Sequence, residues 1–176
     1  SVFVLIGCLG GQTNDTSSGK KSGKRSSALH QEMAIGSEAP DFTAKLNNGE
    51  TFTLSDKKGQ VILLNFWATW CSNCVKEMPA IEKLYEEYGD QIVIVGVNVG
   101  EDEDTIDTFI EAKNYSFPVA CDTESNISNL YPSAGIPYTV IVGKDGLVTE
   151  TFLGAKDADS QYTKLRRALQ EAYEAN

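Results

Sequence analysis

Trp70-Cys71-Ser72-Asn73-Cys74 places two thiols directly after the apolar run Val61-Ile62-Leu63-Leu64-Asn65-Phe66-Trp67 and directly before a stretch with helical spacing. Two cysteines separated by two residues stand about one helical turn apart, close enough to form a disulfide and to exchange it. At a helix start the unpaired backbone N–H groups and the macrodipole favour a thiolate, so Cys71 is the expected nucleophile of thiol–disulfide exchange. Cys74, inside the first turn, is placed to attack a mixed disulfide and release the bound partner. A CxxC pair can also be half of a structural zinc site, but that needs two more ligands, usually a second close pair. Cys8 and Cys121 are isolated, and His30, the one histidine, lies in a polar stretch, so no metal is expected.

Glu77 follows Cys74 by three residues, shares its helix face and could exchange a proton with the less accessible thiol. The plain alternative is a solvated helix glutamate. Trp67 is expected in the core, and Trp70, next to the nucleophile, as a partly exposed contact surface. Cys121 is expected to be a buried small hydrophobe rather than a third redox thiol.

The elements that must position these residues follow from periodicity. Asp41 to Leu46 and Thr51 to Leu54, joined by Asn47-Asn48-Gly49, predict a hairpin. The run 61–67 is continuously apolar except for Asn65, as suits a strand covered on both faces, and Ile92 to Val99 is a second such strand. Between them Met78, Ile81, Leu84, Tyr85 and Tyr88 mark a helix that Gly89 can cap. The acidic stretch Glu101 to Asp104 is expected to open another helix, carrying Ile106, Phe109 and Ile110 on one side. Phe117 to Cys121 is a short strand, Tyr138 to Val142 and Leu147 to Leu153 form a hairpin, and a last helix carries Tyr162, Leu165, Leu169 and Tyr173. Strands separated by helices and closed by a hairpin imply an α/β fold, a mixed sheet with helices on both faces and an N-terminal β-hairpin extension.

Four stretches, Ala39-Pro40-Asp41-Phe42, Asn65-Phe66-Trp67-Ala68-Thr69-Trp70-Cys71, Glu77-Met78-Pro79 and Gly135-Ile136-Pro137-Tyr138-Thr139, together resemble the thioredoxin superfamily. Within it they are similar to the extracytoplasmic, membrane-tethered thiol–disulfide oxidoreductases of the ResA and TlpA kind. The resemblance implies that Pro137 is the cis-proline facing the active-site disulfide, which leaves neighbouring backbone groups free to pair with an extended substrate and makes Ile136 and Tyr138 substrate contacts. It also implies a redox role for Glu77 and a helix-bending role for Pro79. Asn65 departs from thioredoxin itself, which has a buried aspartate at that place; asparagine is no base, so Glu77 or water must take the proton. A Cys71–Cys74 dithiol needs no further cofactor. The implied partners are exported proteins with disulfides, apocytochrome c or a methionine sulfoxide reductase among them, and a membrane thiol donor similar to CcdA or DsbD.

With 176 residues and 41% hydrophobic content the chain can bury one sizeable core, and a monomer is expected. The formal charge is −10, yet Lys20, Lys21, Lys24 and Arg25 all precede residue 36, where only Asp15 and Glu32 are acidic. The remainder is therefore strongly acidic, a poor partner for nucleic acid. Ser1 to Cys8 looks like the tail of an export signal, its Leu5-Ile6-Gly7-Cys8 similar to a bacterial lipobox in which Cys8 is lipidated. Residues 9–35 then form a flexible linker, and 36–176 a thioredoxin-like domain held at the outer surface of the cell membrane. A leftover cloning sequence or a short buried strand is the plainer account of residues 1–8. The sequons at Asn14, Asn114 and Asn126 are short enough to arise by chance.

Rival readings keep the motif but change its use. The pair could form disulfides rather than reduce them, since Ser72-Asn73 does not fix a potential; the lack of a histidine between the cysteines favours a reductant. A peroxiredoxin shares the Ala39-Pro40-Asp41-Phe42 opening but would need proline and threonine or serine where Leu64 and Ala68 stand. A binding lipoprotein with a structural disulfide is the third alternative.

Overall fold

The computed structural model describes residues 31–175. Cys8, the sequon at Asn14, His30 and most of the expected linker lie outside the described residues. A five-stranded sheet in the order β5-β4-β3-β6-β7 is built from β3 (Val61–Trp67), β4 (Ile92–Val99), β5 (Val119–Asp122), β6 (Tyr138–Val142) and β7 (Val148–Leu153). β3, β4 and β5 run parallel; β6 and β7 are antiparallel to their neighbours. A separate hairpin pairs β1 (Thr43–Lys45) with β2 (Thr51–Thr53), and the helices are α1 (Ser72–Tyr88), α2 (Glu103–Lys113) and α3 (Ala158–Glu174). No helix among the described residues is long and apolar enough to cross a membrane.

Every residue of β3 is buried, as suits a run that is apolar except for Asn65. Its alternate side chains split between two cores. Val61, Leu63 and Trp67 pack with Met78, Ile81 and Leu84 of α1, Ile106 and Ile110 of α2, and Leu165 and Leu169 of α3. Ile62, Leu64 and Phe66 pack instead with Phe42, Phe52, Ile127, Tyr131 and Tyr138. The three α-helices thus share one face, where helices were expected on both. Right-handed crossovers explain the difference: β3-α1-β4 and β4-α2-β5 step in the same direction across the sheet and deliver their helices to the same side. The opposite face is closed by the β1–β2 hairpin and the 127–131 turn. The hairpin also guards the edge strand, because Asn47 N–H donates to the Val119 carbonyl at 2.8 Å and Asn47 Oδ1 accepts the Val119 N–H at 2.9 Å.

Two residues before position 36 touch the sheet. Met33 N–H donates to the Tyr138 hydroxyl at 3.0 Å and Thr151 Oγ1 donates to Glu32 at 3.2 Å, which draws the end of the expected linker onto the sheet. In α3 the buried stripe is Gln161, Leu165, Ala168, Leu169 and Ala172 rather than one carrying Tyr162 and Tyr173. Those tyrosines lie at the rim, where the Tyr162 hydroxyl donates to Glu87 and the Lys144 ammonium sits over the Tyr173 ring.

Gly96 of β4 lies where two core aromatics converge. A Cβ there would stand 3.0 Å from Trp67 Nε1 and 3.1 Å from the Phe117 ring, both of them buried. Gly96→Ala gains a little from a stiffer unfolded chain but overpacks this contact, so a net loss of roughly 1–2 kcal/mol is expected. Urea titration should show a lower midpoint at unchanged slope, and an unmoved midpoint would show that the aromatics yield freely.

Candidate active site

Cys71 ends the loop after β3 as the N-cap of α1, in extended conformation (φ −85°, ψ 105°), and its Sγ accepts the Cys74 N–H at 3.2 Å. Cys71 and Cys74 are joined as a disulfide with their Cα atoms 5.2 Å apart. Access divides the two sulfurs: Cys71 retains 7% exposure and Cys74 none, while Trp70 beside them is 72% exposed. Pro79 sits inside α1, where it removes one helical N–H donor. The Ile136–Pro137 bond is cis. The half-buried Ile136 lies against the disulfide, with its carbonyl oxygen 3.7 Å from Cys71 Sγ, and Pro137 O accepts from Gly154 N–H at 2.8 Å.

Tyr138, expected among the substrate contacts, faces the other way. It is wholly buried on the second core, its ring stacked near Phe66 and its hydroxyl held by Met33. The period-two alternation of β6 requires this: Thr139 faces the α1 side, so Tyr138 and Val140 face away.

Glu77 is not a solvated helix glutamate. It is 1% exposed, and its carboxylate accepts from Asn65 Nδ2 on β3 and from Gln161 Nε2 on α3 at 2.5 Å. Burial pushes its pKa up to about 7, against the two hydrogen bonds and the positive charge of Lys164, which all favour the carboxylate. Asn65 also donates to Thr139 Oγ1 at 3.0 Å, while its Oδ1 has no partner among the described residues. Asn65, the departure from the thioredoxin pattern, is therefore a direct neighbour of Glu77. Gln161 was not foreseen, although a polar residue on the apolar stripe of α3 was a signal in the sequence.

Two further residues differ from expectation. Glu101 does not open α2, which begins at Glu103 with the Asp102 carboxylate accepting Thr105 N–H at 2.8 Å. The Glu101 side chain turns toward Thr69 in the loop before Cys71, accepting its N–H at 2.8 Å and its hydroxyl as well. Cys121 is a half-buried free thiol, not a fully buried one, because β5 is the sheet's edge; its Sγ lies 3.4 Å from Glu101 O and 3.1 Å from Thr123 Oγ1.

A cysteine that keeps slight access beside one that keeps none, a segment with a cis-proline against them and a buried protonatable acid on the same helix form a set suited to thiol–disulfide exchange. The chain is similar to several known proteins. The AhpC/TSA family profile matches residues 35–151. The thioredoxin-like protein YneN of Bacillus subtilis (strain 168) is 34% identical over 167 residues, 93% of this chain and 92% of that protein. The thiol-disulfide oxidoreductase ResA of the same organism is 35% identical over 125 residues, 70% of each. Among solved structures, the exposed lipoprotein thioredoxin Etrx1 of Streptococcus pneumoniae superposes with a TM-score of 0.63 at 27% identity, covering 73% of this chain and 99% of that one. The chain belongs to the AhpC/TSA family and, within its thioredoxin-like members, is a thiol–disulfide oxidoreductase of the ResA type.

Proposed function

We propose that this oxidoreductase works outside the cytoplasm, tethered to the cell membrane through a lipidated Cys8, and that it reduces disulfides of exported proteins. The reduction itself is carried by the difference in access between Cys71 and Cys74, which sets one sulfur toward a substrate and keeps the other for resolution. The direction is supported by the absence of charge at Ser72 and Asn73 and by the acidic nature of Glu77. A strong oxidant needs its reduced form stabilised as a thiolate, and neither uncharged neighbours nor a buried acid supply that. In the cycle the Cys71 thiolate attacks a substrate disulfide and expels one substrate thiolate. Cys74 then attacks the mixed disulfide at Cys71 and expels the other, so two electrons pass to the substrate and the Cys71–Cys74 disulfide remains. A membrane thiol donor of the CcdA or DsbD kind restores the dithiol; apocytochrome c and methionine sulfoxide reductase are the candidate substrates. Ile136 presents its backbone to an extended substrate next to the cis-proline, with Trp70 as an apolar contact beside it. The protein acts as a monomer without a further cofactor.

The test is fractionation of bacterial cells expressing the full chain, with acid quenching and thiol alkylation to freeze the redox state. The protein should sediment with membranes, carry acyl groups on Cys8 and hold Cys71 and Cys74 as a dithiol; Cys8→Ser should release it. Unlipidated protein in a host with intact lipoprotein processing would remove the tether, and a disulfide at steady state would reverse the direction to oxidation.

A further inference from the structure

We propose that Glu101 is a positioning residue for the nucleophile, holding the loop that ends in Cys71 through a clamp on Thr69. This rests on the reading of Cys71 as the attacking thiol. Both carboxylate oxygens take part: Oε2 accepts the Thr69 N–H at 2.8 Å and Asn98 Nδ2 at 2.7 Å, and Oε1 accepts the Thr69 hydroxyl. All three donors are neutral, so the contact is directional and fixes geometry rather than neutralising charge.

The clamp is itself held from two sides. Asn98 is wholly buried on β4, and its amide gives Nδ2 to Glu101 while its Oδ1 has no partner among the described residues. The backbone of Glu101 is tied to the end of β5, where Thr123 Oγ1 donates to Glu101 O at 2.9 Å and Cys121 Sγ lies 3.4 Å from the same oxygen. Thr69, in contrast, belongs to neither β3 nor α1 and has no ladder or helix to fix it. It sits inside the turn closed by Cys71 N–H to Ala68 O at 3.2 Å. Fixing Thr69 fixes that turn, and the turn sets the N-cap geometry in which Cys71 Sγ meets the Cys74 N–H. This N–H is one of the donors that stabilise a thiolate at a helix start, so its alignment governs how readily Cys71 ionises.

The experiment measures iodoacetamide alkylation of Cys71 and Cys74 by mass mapping in the reduced full chain across pH. It compares wild type with Glu101→Gln, Thr69→Val and the double variant. Glutamine keeps the shape but offers one acceptor and an amide donor to three donors. Its Cys71 should alkylate on the order of tenfold more slowly at pH 7, with the pH midpoint moved upward. Thr69→Val, which loses the hydroxyl but keeps the N–H, should shift the midpoint less and in the same direction. The double variant should be no worse than Glu101→Gln alone, because both changes remove one shared contact. An unmoved midpoint or additive effects overturn the clamp. So does a downward shift, which would make Glu101 only a repelling charge. Wild type in which Cys74 alkylates first would instead overturn the nucleophile assignment, a separate and visible failure.

Discussion

Cys74→Ser should accumulate in cells as a mixed disulfide between Cys71 and its substrate, and Cys71→Ser should lower disulfide reduction to the uncatalysed level. Both follow from the burial of one sulfur and the access of the other. The Cys71 thiolate is stabilised by its position at the N-cap of α1, so it still attacks when Cys74 is missing. The substrate thiolate leaves, a bond from Cys71 sulfur to the second substrate sulfur remains, and nothing inside the protein can displace it. With Cys71 gone, the remaining thiol sits in the first turn of α1 with no exposed surface, and a protein disulfide cannot reach it. Non-reducing purification followed by mass spectrometry should therefore recover exported proteins with paired cysteines from Cys74→Ser, and none from the variant that also carries Cys71→Ser. Cytochrome c precursors or methionine sulfoxide reductase among the adducts would identify the substrate class. Failure to recover any mixed disulfide where the protein is expressed would move the reading to a binding lipoprotein with a structural disulfide.

Much of this site was legible before the fold, for reasons that can be named residue by residue. β3 and β4 are covered on both faces, so their runs, apolar but for Asn65 and Asn98, mark their ends without help from tertiary structure. Cys71 and Cys74 are local, since a spacing of three at a helix start fixes both proximity and environment. The Ile136–Pro137 segment became visible only through the family resemblance, because nothing in a lone X–Pro pair distinguishes cis from trans. What was not legible depends on contacts distant in sequence. Glu77 is buried by Gln161, 84 residues away, and held by Asn65, twelve residues before it. Glu101 stands in an acidic run that a helix dipole explains equally well, and only its approach to Thr69, 32 residues earlier, gives it another part. Tyr138 is a further case. Alternation along β6 sets Tyr138 and Thr139 on opposite faces, but every residue of this strand is buried, so only the fold shows which face meets the disulfide.

The ionisation of Glu77 ties stability to chemistry, and Glu77→Gln should separate them. In the folded protein burial raises this carboxyl to about 7 from an ordinary 4.5. Between those values the folded state binds more protons than the unfolded one, so stability falls as pH rises through the window and levels off above about pH 7. At one pKa unit per 1.36 kcal/mol the full penalty is roughly 3 kcal/mol at pH 8 and nearly absent below pH 4.5. Glutamine removes the charge but cannot accept from both Asn65 Nδ2 and Gln161 Nε2 without turning one amide. Asn65, whose Oδ1 has no partner among the described residues, can turn and accept from the introduced amide, at the expense of leaving Nδ2 without an acceptor. The net gain should then be about 1–2 kcal/mol at pH 8, shrinking to zero or a slight loss at pH 5. Catalysis should move the other way. Asn65 cannot take a proton, and on the proposal that Glu77 is the base that lets Cys74 resolve the mixed disulfide, its loss should slow that step on the order of 100-fold and erase the inflection near pH 7. Denaturant titrations at the two pH values and stopped-flow resolution rates check both halves. Stability curves that run parallel across pH would show that the carboxyl does not titrate in this window, and a resolution rate unchanged by the substitution would leave Glu77 as a buried structural acid.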